Sequence, residues 1–107
     1  MNIGLDFDET VTADPVFWSA FVGLCKKFGH SVTIVTFRSD KWDNSDIEAW
    51  ANQNGITRVV YTAGQQKSVE APYIDVWIDD MPVLIPHIAE LKSMMIGCEK
   101  FDETKSN

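Results

Sequence analysis

Short apolar runs alternate with helical patterns along this chain, and that alternation limits the folds open to it. Four runs have the composition and length of strands; they are residues 2–7, 31–37, 58–62 and 74–80. Helices are expected over residues 13–30, over residues 43–56 and as one turn within residues 63–73. A further helix is expected from near Pro86, and a short final strand over residues 94–98. Strands that alternate with helices predict an α/β domain, here a Rossmann-like three-layer sandwich with a mostly parallel sheet.

Boundary residues support the two longer helices. Asp14 suits the cap of the first helix, and Gly29 suits the position just past its end. Apolar residues of this helix recur at helical spacing, as on the buried face of an amphipathic helix; they are Phe17, Ala20, Phe21, Leu24 and Phe28. Ser45 and Glu48 have the spacing of a capping box at the start of the second helix.

The size and charge of the chain narrow the classes of function. Its 107 residues are expected to form one domain over residues 1–100, followed by a polar, disordered tail over residues 101–107. A net charge of −7 argues against a broad basic surface for duplex DNA or anionic lipid. No signal peptide or membrane-spanning stretch is visible, so a cytoplasmic protein with no membrane partner is expected. Cys25 and Cys98 lack a CxxC pattern, which argues against zinc, and Cys25 is expected to be a buried thiol.

Polar and charged side chains follow each predicted strand. They are Asp6 and Asp8 after the first strand, Thr36 and Arg38 after the second, Lys67 beyond the third, and Asp79 and Asp80 after the fourth. In parallel α/β folds ligands bind outside the carboxyl ends of the strands, where the strand order switches. These side chains are therefore expected to converge at one edge of the sheet. Solvated acids in turns are the alternative, but acids that end two buried strands are costly without a compensating charge.

This set of side chains suits a divalent cation beside a phosphate group. Carboxylate oxygens are the ligands that Mg²⁺ prefers, and protein-bound Mg²⁺ commonly contacts substrate phosphate as well. A lysine and a threonine hydroxyl next to the metal would bind the phosphate oxygens. The acids after the first and fourth strands would then tolerate one another because a cation lies between them.

The order of these residues resembles the haloacid dehalogenase (HAD) superfamily of phosphotransferases. The first motif of that family, a strand followed by DxDxT or DxDxV, is matched by Asp6-Phe7-Asp8-Glu9-Thr10. The second motif, a strand that ends in Thr or Ser, is matched at Thr36, and the third, a lysine before the last acidic strand, at Lys67. The fourth, an apolar strand that ends in an acidic pair, is matched by residues 75–80. The resemblance covers about residues 2–82 and implies a HAD-like fold.

The resemblance also implies a magnesium-dependent phosphomonoester hydrolase with a role for each matched residue. Asp6 would be the nucleophile that forms an aspartyl-phosphate, and Asp8 would be the general acid and base. Thr36 would hydrogen-bond a phosphoryl oxygen, and Lys67 would neutralise the nucleophile and the transferring group. The Mg²⁺ ligands would be Asp6, the backbone carbonyl of Asp8, Asp80, and Asp79 either directly or through water.

The chain differs from many HAD members because it has no room for a cap domain. The segments between the matched motifs hold about one helix in one case and one helix plus one strand in the other. The site is therefore expected to be open, with specificity from its rim, from a second copy of the chain in a homo-oligomer, or from a large substrate. Arg38, Phe37 and Trp42 are the substrate-binding candidates, and a base could stack on Trp42. The substrate could be a phosphorylated small molecule, a polynucleotide end or a phosphoprotein.

Structural roles compete with these functional ones. Thr36 could bond the backbone at a strand end, and Lys67 could be a solvated surface side chain. Arg38 could be structural, and Trp42 fits partly buried packing better than a base platform. For the whole protein, one alternative is a receiver-type phosphoacceptor module, in which an adjacent acidic pair ends the first strand. The other is a non-catalytic relative that acts through binding.

Overall fold

Four strands form one parallel sheet in the computed structural model, which describes residues 1–81 and 85. The strands are β1 (Asn2–Leu5), β2 (Ser31–Thr36), β3 (Val59–Tyr61) and β4 (Val76–Ile78). All neighbouring pairs are parallel, and the order across the sheet is β3-β2-β1-β4. The prediction of an α/β domain with a parallel sheet is confirmed. The helix predicted near Pro86, the strand predicted over residues 94–98 and the tail over residues 101–107 lie outside the described residues.

Helices join the strands; they are α1 (Pro15–Lys27), α2 (Ser45–Gln53) and the single turn α3 (Lys67–Glu70). The Asp14 carboxylate accepts a hydrogen bond from the Phe17 backbone N–H at 3.2 Å, which confirms the predicted cap of α1. Gly29 follows this helix with a φ of 78°, a conformation that glycine adopts without strain. The predicted capping box of α2 is wrong, because Ser45 is already helical and its N–H donates to the Asp43 carboxylate at 3.1 Å.

The buried face of α1 differs from the apolar face that the sequence predicts. Val22 and Cys25 are its buried residues, and Trp18 and Phe21 pack against the core from half-buried positions. Most of the predicted face points away from the core; Phe17, Leu24 and Phe28 are each more than half exposed. The two apolar stripes are offset by one residue, a rotation of about 100° on a helix, so spacing alone could not separate them.

The main core lies between one face of the sheet and the helices α1 and α2. Leu5 of β1 and Ile34 of β2 are register partners, so their side chains share a face of the sheet. Both are fully buried and belong to one cluster with Val22 of α1 and with Ile47 and Trp50 of α2. Helices α1 and α2 therefore cover the same face and hold the strand ends in fixed positions.

The order of the strands places a topological switch between β1 and β4. The chain moves outward from β1 to β2 and β3, then crosses back so that β4 pairs with the free side of β1. In doubly wound α/β folds the crevice at such a switch is where ligands bind. Within residues 1–81, the segments that join the strands hold α1, α2, α3 and one wide turn after β1. None of the helices in this described part is long and apolar enough to cross a membrane.

Candidate active site

Asp6 lies at the switch, directly after β1. Its backbone N–H donates to the Ile78 carbonyl at 3.0 Å, which fixes it beside the end of β4. The chain then makes a wide turn over Phe7–Val11, in which Glu9 adopts a φ of 65°. The turn brings Thr10 back over Asp6, so that the Thr10 hydroxyl donates to Asp6 Oδ2 at 3.1 Å. Asp6 is thus held from two sides and is only 7% exposed.

Lys67 reaches Asp6 from the start of α3. The loop after β3 is tied to the loop after β2, since Ala63 and Gly64 donate their backbone N–H groups to the carbonyls of Arg38 and Phe37. This arrangement places Lys67 in the interior, where it is 2% exposed. A solvated surface lysine, the structural alternative for this residue, is therefore wrong.

The Lys67 ammonium joins the ends of β1 and β4. Its Nζ donates to Asp6 Oδ1 at 2.7 Å and to Asp79 Oδ2 at 2.5 Å. It also lies 5.5 Å from the centroid of the Phe37 ring, whose face favours a cation. The acids that follow β1 and β4 therefore share one buried positive charge.

Three carboxylates meet at this point, and one ammonium does not neutralise them. Oxygen atoms of Asp6, Asp79 and Asp80 all lie within 4.8 Å of one another. Burial raises the pKa of Asp6 from 3.8 to about 6; hydrogen bonding to Lys67 opposes this rise, and the neighbouring Asp80 adds to it. Asp6 is therefore still mainly ionised at pH 7, but burial and the neighbouring Asp80 make its ionised form less stable than that of a solvated aspartate. Within residues 1–81, counting Lys67 against the three acids leaves two negative charges uncompensated.

The donor set fits Mg²⁺. The three groups are hard oxygen ligands of the kind that Mg²⁺ prefers; two oxygens on one Mg²⁺ lie at most about 4.2 Å apart, so the carboxylates need to move only slightly to share an ion. A divalent cation would also cancel the charge that Lys67 leaves uncompensated. Asp80 is exposed. Asp79 is not, because its carboxylate accepts hydrogen bonds from the Lys67 ammonium and, at 2.9 Å, from the Met81 backbone N–H.

Thr36 ends β2 with its side chain buried at 1% exposure. Its hydroxyl oxygen accepts a hydrogen bond from the Arg38 backbone N–H at 3.2 Å, as the structural alternative for this residue expects. The bond uses the oxygen as an acceptor, so the hydroxyl hydrogen can still be donated to a ligand. Thr36 also contributes to the wall of the cavity at the switch, which makes the structural and functional roles compatible.

An open cavity of about 150 Å³ joins these groups. It is lined by Asp6, Asp8, Glu9, Thr36, Phe37, Lys67, Asp79, Asp80 and Met81. Seven of the nine residues predicted for the site thus share one cavity, while Arg38 and Trp42 are not among the described residues that line it. Trp42 is 62% exposed, so partly buried packing, the alternative for this residue, is wrong.

Four residues that the sequence analysis gave no role belong to the site or support it. Glu9 and Met81 line the cavity, and Thr10 and Asp46 hold its side chains. Thr10 holds the Asp6 carboxylate, and its position four residues after Asp6 within the first motif was a usable signal. Asp46, in the first turn of α2, forms a salt bridge with Arg38 at 2.8 Å. Nothing in the sequence separates Asp46 from the other acids of its loop and helix, because the contact depends on how α2 docks.

Comparison of the chain with protein-family models, with curated proteins and with solved structures finds no match. The function of the cavity must therefore be inferred from its side chains and from the motifs that supply them.

Proposed function

We propose that this protein is a magnesium-dependent phosphomonoester hydrolase of the HAD type. The observation that carries the proposal is the buried Lys67 that joins Asp6 and Asp79 beside Asp80, at the carboxyl ends of β1 and β4. A fold gains little stability from gathering three acids around one buried lysine, because the desolvation of Asp6, Asp79 and the ammonium is costly. Such a cluster at a topological switch is typical of a site that binds a metal and an anion.

The reaction would proceed in two displacements at phosphorus. In the first, an Asp6 carboxylate oxygen attacks the phosphorus atom, the bond to the leaving oxygen breaks, and Asp8 gives its proton to that oxygen. In the second, Asp8 accepts a proton from water as the water oxygen attacks the aspartyl-phosphate. The bond between phosphorus and Asp6 then breaks, which releases inorganic phosphate and restores both carboxyl groups.

The other side chains of the cavity prepare Asp6 and stabilise the charge of the transferring group. Lys67 favours the ionised form of Asp6 against the cost of burial, so the nucleophile is available at neutral pH. Thr10 fixes the second oxygen of the same carboxylate and thereby its orientation. Thr36 would donate its hydroxyl hydrogen to a phosphoryl oxygen, a contact that stabilises charge most where water is excluded.

Mg²⁺ would be held by Asp6, Asp79 and Asp80, with the backbone carbonyl of Asp8 as the ligand that the HAD resemblance adds. When bound, it would offset the repulsion between the Asp6 carboxylate and the phosphate dianion and would stabilise charge on the transferring group. The size of the cavity fits this role. At about 150 Å³ it admits a phosphoryl group, whereas typical sites for whole small molecules measure about 300–1,000 Å³. The rest of the substrate would lie outside it.

The receiver-type alternative fits the architecture less well. In that doubly wound fold the sheet order is 2-1-3-4-5, so the third strand lies next to the first. Here β3 is at the edge of the described sheet, and β1 lies between β2 and β4. The spaced pair Asp6 and Asp8 follows β1, and the adjacent pair follows β4, which is the reverse of the receiver arrangement.

The proposal is tested by phosphate release from p-nitrophenyl phosphate in Mg²⁺ and in EDTA. This substrate needs few contacts beyond its phosphoryl group, so an open site should accept it. We expect many turnovers per enzyme in Mg²⁺, loss of activity in EDTA, and recovery when excess Mg²⁺ is returned. Phosphorylation of the protein from acetyl phosphate without turnover would instead favour a phosphoacceptor module. Absence of both release and Mg²⁺ binding by calorimetry would contradict the proposal.

A further inference from the structure

Arg38 bridges two carboxylates that belong to different elements of the structure. Its Nε and Nη2 donate to Oδ2 and Oδ1 of Asp8, at 3.0 and 2.7 Å. Its Nη1 and Nη2 donate to Oδ1 and Oδ2 of Asp46, at 2.8 and 2.9 Å. Each carboxylate is therefore held through both of its oxygens, a geometry that the planar guanidinium provides and an ammonium does not.

The guanidinium is itself fixed by the core. The Arg38 side chain is 15% exposed, although the side chains of Asp8 and Asp46 are about half exposed. Its Cζ lies 5.5 Å from the centroid of the Phe7 ring, and Phe7 packs edge-on against Trp50 of α2. Asp46 lies in the first turn of the same helix. Arg38 therefore connects Asp8, on the turn after β1, to α2 and to the core beneath it.

These contacts leave Arg38 little capacity to bind a substrate phosphate. A guanidinium has five N–H donors, and four of them point to the oxygens of Asp8 and Asp46. The two carboxylates also offset its positive charge. The sequence predicts that Arg38 binds substrate. The described residues that line the cavity include Asp8 but not Arg38.

We propose that Arg38 is a positioning residue that holds the Asp8 carboxylate facing the leaving group and the attacking water, with Asp46 as the anchor of the guanidinium. The inference rests on the proposed function, because Asp8 exchanges protons with a substrate only in a phosphomonoester hydrolase. An aspartate on an exposed turn samples several rotamers, and two-point contact with a fixed guanidinium selects one. Both contacts are those of the ionised carboxylate; when one oxygen carries the proton for the leaving group, the other still accepts from Arg38, so the orientation is kept. Since displacement of a catalytic group by about 1 Å can lower a rate by about 10²-fold, that selection matters to catalysis.

The test is a double-mutant cycle of Arg38→Met and Asp8→Asn with two substrates, p-nitrophenyl phosphate and glycerol phosphate. The p-nitrophenolate group leaves readily without a proton, whereas an alkoxide requires one, so the second substrate reports on proton donation by Asp8. For glycerol phosphate, Arg38→Met is expected to lower kcat/KM by about 10–100-fold. For p-nitrophenyl phosphate the loss should be several times smaller. In the Asp8→Asn background, Arg38→Met should change kcat/KM by less than about twofold, because no carboxylate is left to position.

Three further variants separate positioning from folding and from charge. Arg58→Met is the matched control: Arg58 is the only other arginine of the chain, and its guanidinium lies against the Tyr73 ring at 4.8 Å, next to the start of β3 and away from the cavity. Its kcat/KM should equal that of the wild type. Asp46→Asn removes the anchor and should repeat the substrate pattern of Arg38→Met to a lesser degree. Arg38→Lys keeps the charge but not the two-point contacts, so it should not restore activity. Unfolding midpoints show which variants are folded.

The outcomes distinguish this inference from the proposed function. If the wild type releases no phosphate from either substrate in Mg²⁺, the proposed function fails and the inference fails with it. If the wild type is active and Arg38→Met loses the same factor on both substrates, with and without Asp8, then Arg38 contacts the substrate and positioning is wrong. If the wild type is active and both Arg38→Met and Asp46→Asn keep its kcat/KM, the inference alone is wrong.

Discussion

Asp6→Asn is expected to lower kcat for p-nitrophenyl phosphate by about 10⁴-fold or more, the scale of loss when a covalent nucleophile is removed. The amide keeps the shape of the side chain but lacks the charge that attacks phosphorus. The fold should persist, because Lys67 keeps its contact with Asp79 and an uncharged group at this buried position avoids the cost of desolvation. The measurement is steady-state phosphate release in saturating Mg²⁺, with circular dichroism to verify folding.

Asp40→Asn is the matched control for this experiment, since Asp40 is an exposed acid on the loop between β2 and α2. It removes the same charge from the chain without touching the cavity, so its kcat should match that of the wild type. A second readout is Mg²⁺ affinity, which should fall in Asp6→Asn because one of three carboxylate ligands is lost. Retention of more than about a hundredth of the activity by Asp6→Asn would be incompatible with Asp6 as the nucleophile.

Lys67→Met is expected to lower the free energy of unfolding in EDTA by about 3–5 kcal/mol, the usual cost of removing one partner from a buried ion pair. Without the Lys67 ammonium, the carboxylates of Asp6, Asp79 and Asp80 lie close together with no lysine between them. The pKa of Asp6, already raised, should rise further, so less of the nucleophile is ionised at pH 7. Phosphatase activity should fall by about 10²–10³-fold, as when one charged donor to the transferring group is removed.

The metal gives Lys67→Met a signature that general destabilisation would not produce. Removing a positive charge from the acidic cluster should strengthen Mg²⁺ binding, so calorimetry should show tighter binding in an enzyme that is less active. Added Mg²⁺ should also recover part of the lost stability by mass action. Lys41→Met, at an exposed lysine on the loop after β2, should change neither property. Unchanged Mg²⁺ binding in a folded Lys67→Met protein would show that the acids do not form the metal site.

The acids after β1 and β4 could be predicted from the sequence, because two rules suffice that require no knowledge of side-chain packing. Apolar runs that stop abruptly at carboxylates predict both the strands and the charged positions after them. The convergence of parallel strand ends then brings distant acids to one edge without any knowledge of side-chain packing. Lys67 was harder to predict, because a lysine within a polar connection carries no local sign of burial.

The contacts of Arg38 could not be predicted, and the reason is geometric. Its partners Asp8 and Asp46 are 30 and 8 residues away, and each is one acid among several in its segment. Their meeting depends on the angle at which α2 docks on the sheet. The same limit applies to α1, where two apolar stripes offset by one residue satisfy the helical period equally well. Periodicity identifies the helix, and only packing against β1 and β2 decides which stripe is buried.

The most direct test of the account is to locate the phosphoryl group on the protein during turnover. The enzyme would be mixed with p-nitrophenyl phosphate and Mg²⁺, quenched in acid within milliseconds, and treated with borohydride, which reduces an acyl phosphate to the alcohol. Peptide mass spectrometry then finds the reduced residue. Homoserine is expected at position 6, and it should be absent when substrate or Mg²⁺ is omitted. Phosphate release without modification of Asp6, or with the phosphoryl group on another carboxylate such as that of Asp79, would contradict the account.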